Sequence, residues 1–436
     1  MDKFKFVDLF AGLGGIRIGF EQAFKNHGFE TECVFSSEIK SYAVEAYQNY
    51  FKEENIYGDI TKIPSEQIGK FDFLLAGFPC QPFSTAGKGL GFADVRGTLF
   101  FEIERLLKHW QPTGFLLENV EGLFNHEKGR TLDIILHKLH DLGYFVSYRV
   151  LDGKDFGLAQ SRKRIYIVGT NIAAIDLRDF DVKTTKLKEI LESGLPTNNT
   201  VFSNALLSHY KSYEMLGKSI KDKRGGSNNI HSWDMGLKGE VTTEQKQLLE
   251  ALLLERRKKQ WAEEIGIKWM DGMPLTTEQI STFYKHNNLE YLLDDLVKKG
   301  YVAKEHPKKF ENGKRIQDKT KPKGYNIVAG KLSFEFTKIL DPDDVAPTLV
   351  AMDVDKLGVI DGEGIRRLSI REGMRLFGFP EAYDLSFLKM REAYDLLGNT
   401  VCIPVIEAVA GRICEAIKEE MFQEVQGGLL AYAENY

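Results

Sequence analysis

The chemistry this chain could perform centres on Cys80 and Glu118, with a glycine-rich loop and a further carboxylate, Glu38, beside them. Cys80 stands in AGFPCQPFS, residues 76–84, between Pro79 and Pro82. Each proline locks its own φ and lacks a backbone donor, and Pro79 drives Phe78 toward extended geometry. Cys80 is therefore held in a loop of one shape, as either a packing residue or a poised nucleophile. Glu118 follows the apolar run Gly114-Phe115-Leu116-Leu117. Gly12-x-Gly14-Gly15 brings backbone close to a ligand, but the next glycine is Gly19, so the full dinucleotide fingerprint is absent. Glu38 lies roughly 20 residues beyond those glycines, where a carboxylate can take ribose hydroxyls. Together they indicate a nucleoside-type cofactor, and no Walker sequence is present for a triphosphate.

The elements that must position these groups alternate. Apolar strand-like runs at 4–9, 33–35, 71–76, 114–117 and 165–169 are separated by helical patterns, such as Ile16, Phe20, Ala23 and Phe24 on one face. Such alternation predicts an α/β fold with a doubly wound, mainly parallel sheet. Ligands on such sheets bind beyond the carboxyl ends of the strands, where the glycine loop, Glu38, Cys80 and Glu118 all fall. That coincidence moves Cys80 from packing toward chemistry.

A chain of 436 residues suits two or three domains. No apolar run approaches the roughly 18 residues needed to span a bilayer, and the N-terminus lacks a signal-peptide layout. Cys33, Cys80, Cys402 and Cys414 show neither metal-ligand nor disulfide-scaffold spacing, and the histidines show no paired ligand spacing, so no metal is expected. A reducing cytoplasm, where a thiol can stay nucleophilic, is the natural compartment. The net charge of −5 argues against indiscriminate polyanion binding but leaves room for a local basic face.

Six stretches carry a resemblance: FVDLFAGLGG (6–15), GFPCQPFS (77–84), ENV (118–120), QSRKR (160–164), RRLSIREGMRLFGFP (366–380) and LGNTV (397–401). In that order, spaced around a variable segment, they resemble the DNA cytosine-5 methyltransferase family over about residues 1–170 and 345–415. The resemblance implies a Rossmann-like fold that uses S-adenosyl-L-methionine and releases S-adenosyl-L-homocysteine. It implies that Cys80 attacks C6 of a flipped-out cytosine, that Glu118 holds the N3/N4 edge, and that Arg162 and Arg164 support the base and its loop. It places the cofactor against Phe10, Gly12, Leu13, Gly14, Gly15, Glu38, Ile39, Asp59, Ile60, Phe78, Pro79, Asn399, Thr400 and Val401. It puts Gln81, Ser84, Gln160, Thr348 and Leu349 on the DNA side, with Gln160 positioning its own segment. Cys33, Cys402 and Cys414 are expected in the core. The implied partner is duplex DNA, paired functionally with a restriction endonuclease and without a required complex, and the enzyme is expected to be a monomer. A tRNA substrate and a catalytically inactive DNA-binding homologue remain alternatives, although the long region 186–365 favours duplex DNA.

The catalytic domain is expected at 1–185 plus 396–436, with a target-recognition domain and hinge at 186–395. Within the latter, helical patterns at 244–264, after Thr276 and at 288–299 precede strand-like pieces at 301–303 and 325–328. Thr276-x-x-Gln279 is a capping box, and Gly300 a helix stop. Three helices and a two-stranded wing predict a winged-helix insert at about 241–338. From 298 to 323 ten lysines and arginines face three acidic residues, which marks a phosphate-contacting arm including Lys308, Lys309, Lys319 and Lys321.

Overall fold

The computed structural model describes residues 3–53, 55–78, 99–269, 272–311, 314–328, 334–351 and 353–434. Pro79, Cys80, Gln81 and Ser84 lie outside the described residues.

Six strands, β1 (Lys3–Leu9), β2 (Glu30–Ser37), β3 (Phe73–Gly77), β4 (Gly114–Val120), β5 (Phe145–Asp152) and β6 (Lys163–Thr170), form one sheet in the order β2-β1-β3-β4-β6-β5. β2, β1, β3 and β4 are mutually parallel, whereas β6 runs antiparallel to both its neighbours. The mainly parallel, doubly wound sheet is the expected fold. The strand order reverses beside β1, so the carboxyl ends of β1 and β3 flank a topological switch point, the usual ligand crevice.

Helices cover both faces because the central strands are apolar on both sides. Val7, Leu9, Leu74, Ala76, Phe115 and Leu117 pack against Ile103, Leu106 and Leu107 of α3 (Phe100–Trp110) and Leu132, Ile135 and Leu139 of α4 (Arg130–Asp141). Opposite them, Phe6 and Phe73 meet Phe20 and Phe24 of α1 (Gly15–Asn26) in an aromatic cluster. Gly14 turns the chain into α1 at φ +70°, and a Cβ there would stand 2.3 Å from the Phe51 ring, so only glycine fits. α2 (Ser41–Phe51) follows β2.

The chain divides into two compact units, 1–192 with 342–354 and 369–436, and 193–341 with 355–368. The first is larger than the expected catalytic segments, because 342–354 and 369–395 join it. The Leu349 amide donates to the Gln160 side chain, and the Tyr383 hydroxyl to the Leu13 carbonyl. The second unit has its own core, with Trp233, Leu248, Leu252, Leu275, Leu293, Leu296, Tyr301 and Tyr325 at its centre. The expected 244–264 helix is broken into Thr243–Glu255 and Gln260–Glu264, while Thr276 and Gln279 form the capping box that opens Thr277–Phe283. Helix Leu289–Lys299 stops at Gly300, whose φ is +80°. Strands Val302–Glu305 and Gly324–Ile327 pair antiparallel, and the polar loop between them forms a second ladder, Lys308–Glu311 with Lys314–Gln317. A five-stranded sheet built from 219–220, 229–230, 338–339, 357–361 and 364–367 completes the unit, and no strand was expected there.

Candidate active site

At the end of the parallel sheet, Gly77 of β3 lies in register with Glu118 of β4. Glu118 is 8% exposed, and Arg164 Nε stands 3.1 Å from its Oε1. Burial raises the Glu118 carboxyl pKa above its ordinary value, against the opposing pull of Arg164 and Arg162. A carboxyl group poised in this way can hold or release a proton beside a substrate. Its neighbour Asn119 donates from Nδ2 to the Phe78 carbonyl at 3.0 Å, while its Oδ1 accepts from the Val120 amide. Asn119 thus fastens the chain two residues before Cys80 to the strand that carries Glu118. Sequence reasoning gave Asn119 no role of its own.

Arg162 sits two residues before Arg164 but is spent differently. Its guanidinium donates to the carbonyls of Leu349 at 2.7 Å, Gly398 at 3.2 Å and Thr400 at 2.7 Å, and lies over the Phe377 ring. Burial, aided by the nearby Arg164 charge, lowers its pKa to about 10. Asp152, also missed, accepts from the Arg162 amide and the Ser161 hydroxyl. Gln160 is wholly buried: its Nε2 donates to the Leu376 carbonyl and its Oε1 accepts from the Leu349 amide. Thr348 donates to the Ser161 carbonyl, and Leu349 is 1% exposed. The expectation that Gln160 and Leu349 face DNA is therefore corrected. Their polar groups are paired inside the protein, bracing the QSRKR segment, which is the positioning role also expected of Gln160.

The glycine loop and Glu38 come together as expected. Glu38 Oε2 accepts from the Gly12 amide at 2.9 Å, and Oε1 from the Ile39 and Lys40 amides at 2.7 and 2.9 Å. Phe10 takes φ +55°, an uncommon conformation for a bulky residue and one that tends to cluster at ligand sites. A Cβ on Gly15 would lie 2.9 Å from Val401 and 3.3 Å from Thr400, so the LGNTV segment closes directly on the start of α1. Ile39, 75% exposed beside Glu38, offers an apolar surface to a ring. Leu13 and Ile60 are core residues at 1% and 2% exposure, so only their backbone can face a ligand. The Asp59 carboxylate accepts from the Thr61 hydroxyl at 2.7 Å, which holds its pKa below the usual value. A carboxylate for hydroxyls, an exposed apolar side chain for a ring and a glycine-lined approach fit an adenosyl group.

In the second unit, Lys308, Lys309 and Lys319 are exposed on or next to the short ladder, as an arm for phosphates requires. Lys321 departs from that expectation: its Nζ donates to the Ile265 carbonyl at 2.6 Å, so it braces the ladder's base. Phe310, 56% exposed, pairs across the ladder with Arg315, whose guanidinium lies over its ring.

A family model described as C-5 cytosine-specific DNA methylase matches residues 4–415. The chain is 57% identical to Type II methyltransferase M.NlaIV of Neisseria lactamica, over 96% of its own length and 100% of the relative's. It is 55% identical to Type II methyltransferase M.NgoBV of Neisseria gonorrhoeae over the same shares. Among solved structures, the S. pombe Dnmt2 methyltransferase superposes with a TM-score of 0.53 at 15% identity, covering 95% of this chain and 99% of that one. That likeness bears on the fold alone.

Proposed function

Because the chain belongs to the C-5 cytosine-specific DNA methylase family and is a DNA cytosine-5 methyltransferase, we propose that it methylates one cytosine of a fixed duplex sequence through a covalent Cys80 adduct. Cytosine C5 is too weak a nucleophile to take a methyl group unaided. The Cys80 thiolate adds to C6, the electron pair moves toward C5, and Glu118 steadies the charge that develops at N3. S-adenosylmethionine, when bound, supplies the methyl group. A base then removes the C5 proton, and the pair returning to the ring expels the thiolate. The target atoms are unreachable in a stacked duplex, so the nucleotide must swing out of the helix.

The observation that carries this reading is the buried Glu118–Arg164 pair, set beside the chain that leads into the Cys80 loop. Arg164 orients the carboxyl group, whereas Arg162 acts by holding the 349 and 398–400 segments in place. Glu38, Ile39 and the glycine loop would hold the cofactor, with Asn399, Thr400 and Val401 as the opposite wall. The second unit would choose the sequence, its helices and ladder forming a winged-helix insert whose basic arm grips phosphates. The Type II names of the relatives support a role in protecting DNA from a partner endonuclease, in the cytoplasm of a bacterium. Bisulfite sequencing of DNA from a bacterial host expressing the chain tests this. One recurring sequence should carry methylcytosine, and Cys80→Ala should abolish it. An unmodified genome would overturn the proposal.

A further inference from the structure

Between the two cofactor walls lies a cluster that the proposed chemistry does not use. Lys40 follows Glu38 by two residues, and its amide is one of the three held by the Glu38 carboxylate. Its side chain runs the other way, to Asp395 Oδ2 at 2.7 Å. The Tyr42 hydroxyl donates to the same oxygen at 2.6 Å. Asp395 meanwhile receives the Asn399 side chain on its carbonyl at 2.8 Å and on Oδ1 at 3.3 Å. One carboxylate therefore joins the β2–α2 junction to the helix Met390–Asn399, elements more than 340 residues apart in sequence.

We propose that Asp395, gripped by Lys40 and Tyr42, is a clasp that positions Glu38 and Asn399 against one another and sets how fast the cofactor product leaves. This rests on the reading of Glu38 and Asn399 as cofactor residues. Burial works to raise the Asp395 pKa, yet the hydrogen bonds from Lys40 and Tyr42 outweigh it and hold the carboxylate below its usual range. Lys40 is shifted up: burial works against its charge, and the bond to Asp395 prevails. Both groups are ionised at neutral pH, and the two shifts are the consequence of their pairing. The Lys40 and Asp395 side chains are 39% and 31% exposed, so solvent partly screens the pair and the Tyr42 hydrogen bond adds to its hold. The clasp residues touch no reacting atom, and so they act on binding and release and leave the methyl-transfer step alone.

The test follows S-adenosylhomocysteine release from the full chain by stopped-flow displacement, with KM for S-adenosylmethionine and kcat measured alongside. Asp395→Lys replaces an attraction with a repulsion and should speed release by about tenfold. It should raise KM without lowering kcat. Tyr42→Phe, which removes one hydrogen bond, should fall between it and the wild type. Adding Lys40→Asp to Asp395→Lys restores an opposite pair and should return release toward the wild-type rate, which loss of folding could not do. If Glu38→Ala weakens S-adenosylhomocysteine binding while Asp395→Lys leaves release unchanged, the clasp is wrong. So it is if the double exchange is no better than the single one. If Glu38→Ala leaves binding intact, the cofactor assignment itself fails, and the clasp with it.

Discussion

Two arginines two residues apart do different work. Arg164 faces Glu118, whereas Arg162 is consumed by three carbonyls. A lysine at 162 keeps the charge but cannot span three acceptors. Arg162→Lys should therefore cost roughly 2 kcal/mol in urea unfolding, in the range for hydrogen bonds to charged groups, whereas Arg164→Lys should lower the methylation rate with little loss of stability. Glu118 carries a pH signature. A carboxyl group whose folded pKa is raised binds its proton more tightly in the native state than in the unfolded chain. Its contribution to stability therefore falls as pH rises above the ordinary value of 4.5, then levels once both states are ionised. Melting temperatures from pH 4 to 8 should show the wild type losing ground to Glu118→Gln across that window, and parallel curves would contradict the raised pKa. At this scale placement was legible in the sequence: the glycine loop and Glu38 meet, and Glu118 lies at the carboxyl end of its strand. It could not separate Arg162 from Arg164, or show that Gln160 and Leu349 are buried, because those facts depend on carbonyls nearly 190 or more residues away.

Among the elements, the ladder 308–317 is the one whose function is most open to measurement. Lys308, Lys309 and Lys319 are exposed, and Lys323 lies just beyond them, also exposed. Ammonium groups meet phosphates as point charges, whereas paired reading of guanine favours arginine. Neutralising these four lysines should weaken binding to cognate and scrambled duplexes by similar factors. For every phosphate that no longer meets a lysine, the log–log salt slope should shrink in magnitude by about 0.9. The methylated sequence should stay the same. Neutralising Lys321 instead should lower stability more than it changes the salt slope, since that side chain ties to Ile265. The central strands were legible because they are continuous apolar runs. The edge strand β5 was missed, since Phe145 and Tyr148 are exposed and its pattern does not alternate. The helix expected across 244–264 ends at Glu255, and the side chain of buried Arg256, which caps it, bonds Asn326 of the strand Gly324–Ile327. Tertiary pairing of that kind overrides local propensity.

At the level of the whole molecule, the first unit is assembled from three stretches of chain, with 193–341 and 355–368 set apart as the second. The six motifs named the catalytic fold and its family, and the family model spans nearly the same residues. The boundary was less legible. Residues 342–354 and 369–395 were assigned with the target-recognition domain and hinge, yet they fall in the first unit, where Gln160, Arg162 and the Leu13 carbonyl bind them. The proposed reaction turns on one event, the attack of a thiolate on a base. That event can be caught with a duplex carrying 5-fluorocytosine at the cytosine that bisulfite mapping identifies. Fluorine cannot leave as a proton does, so the adduct should stall after methyl transfer. With S-adenosylmethionine present, the wild-type chain should form a denaturant-stable complex with that duplex, and Cys80→Ser should form none. A covalent complex that persists in the serine variant, or is absent from an active wild type, would contradict the account.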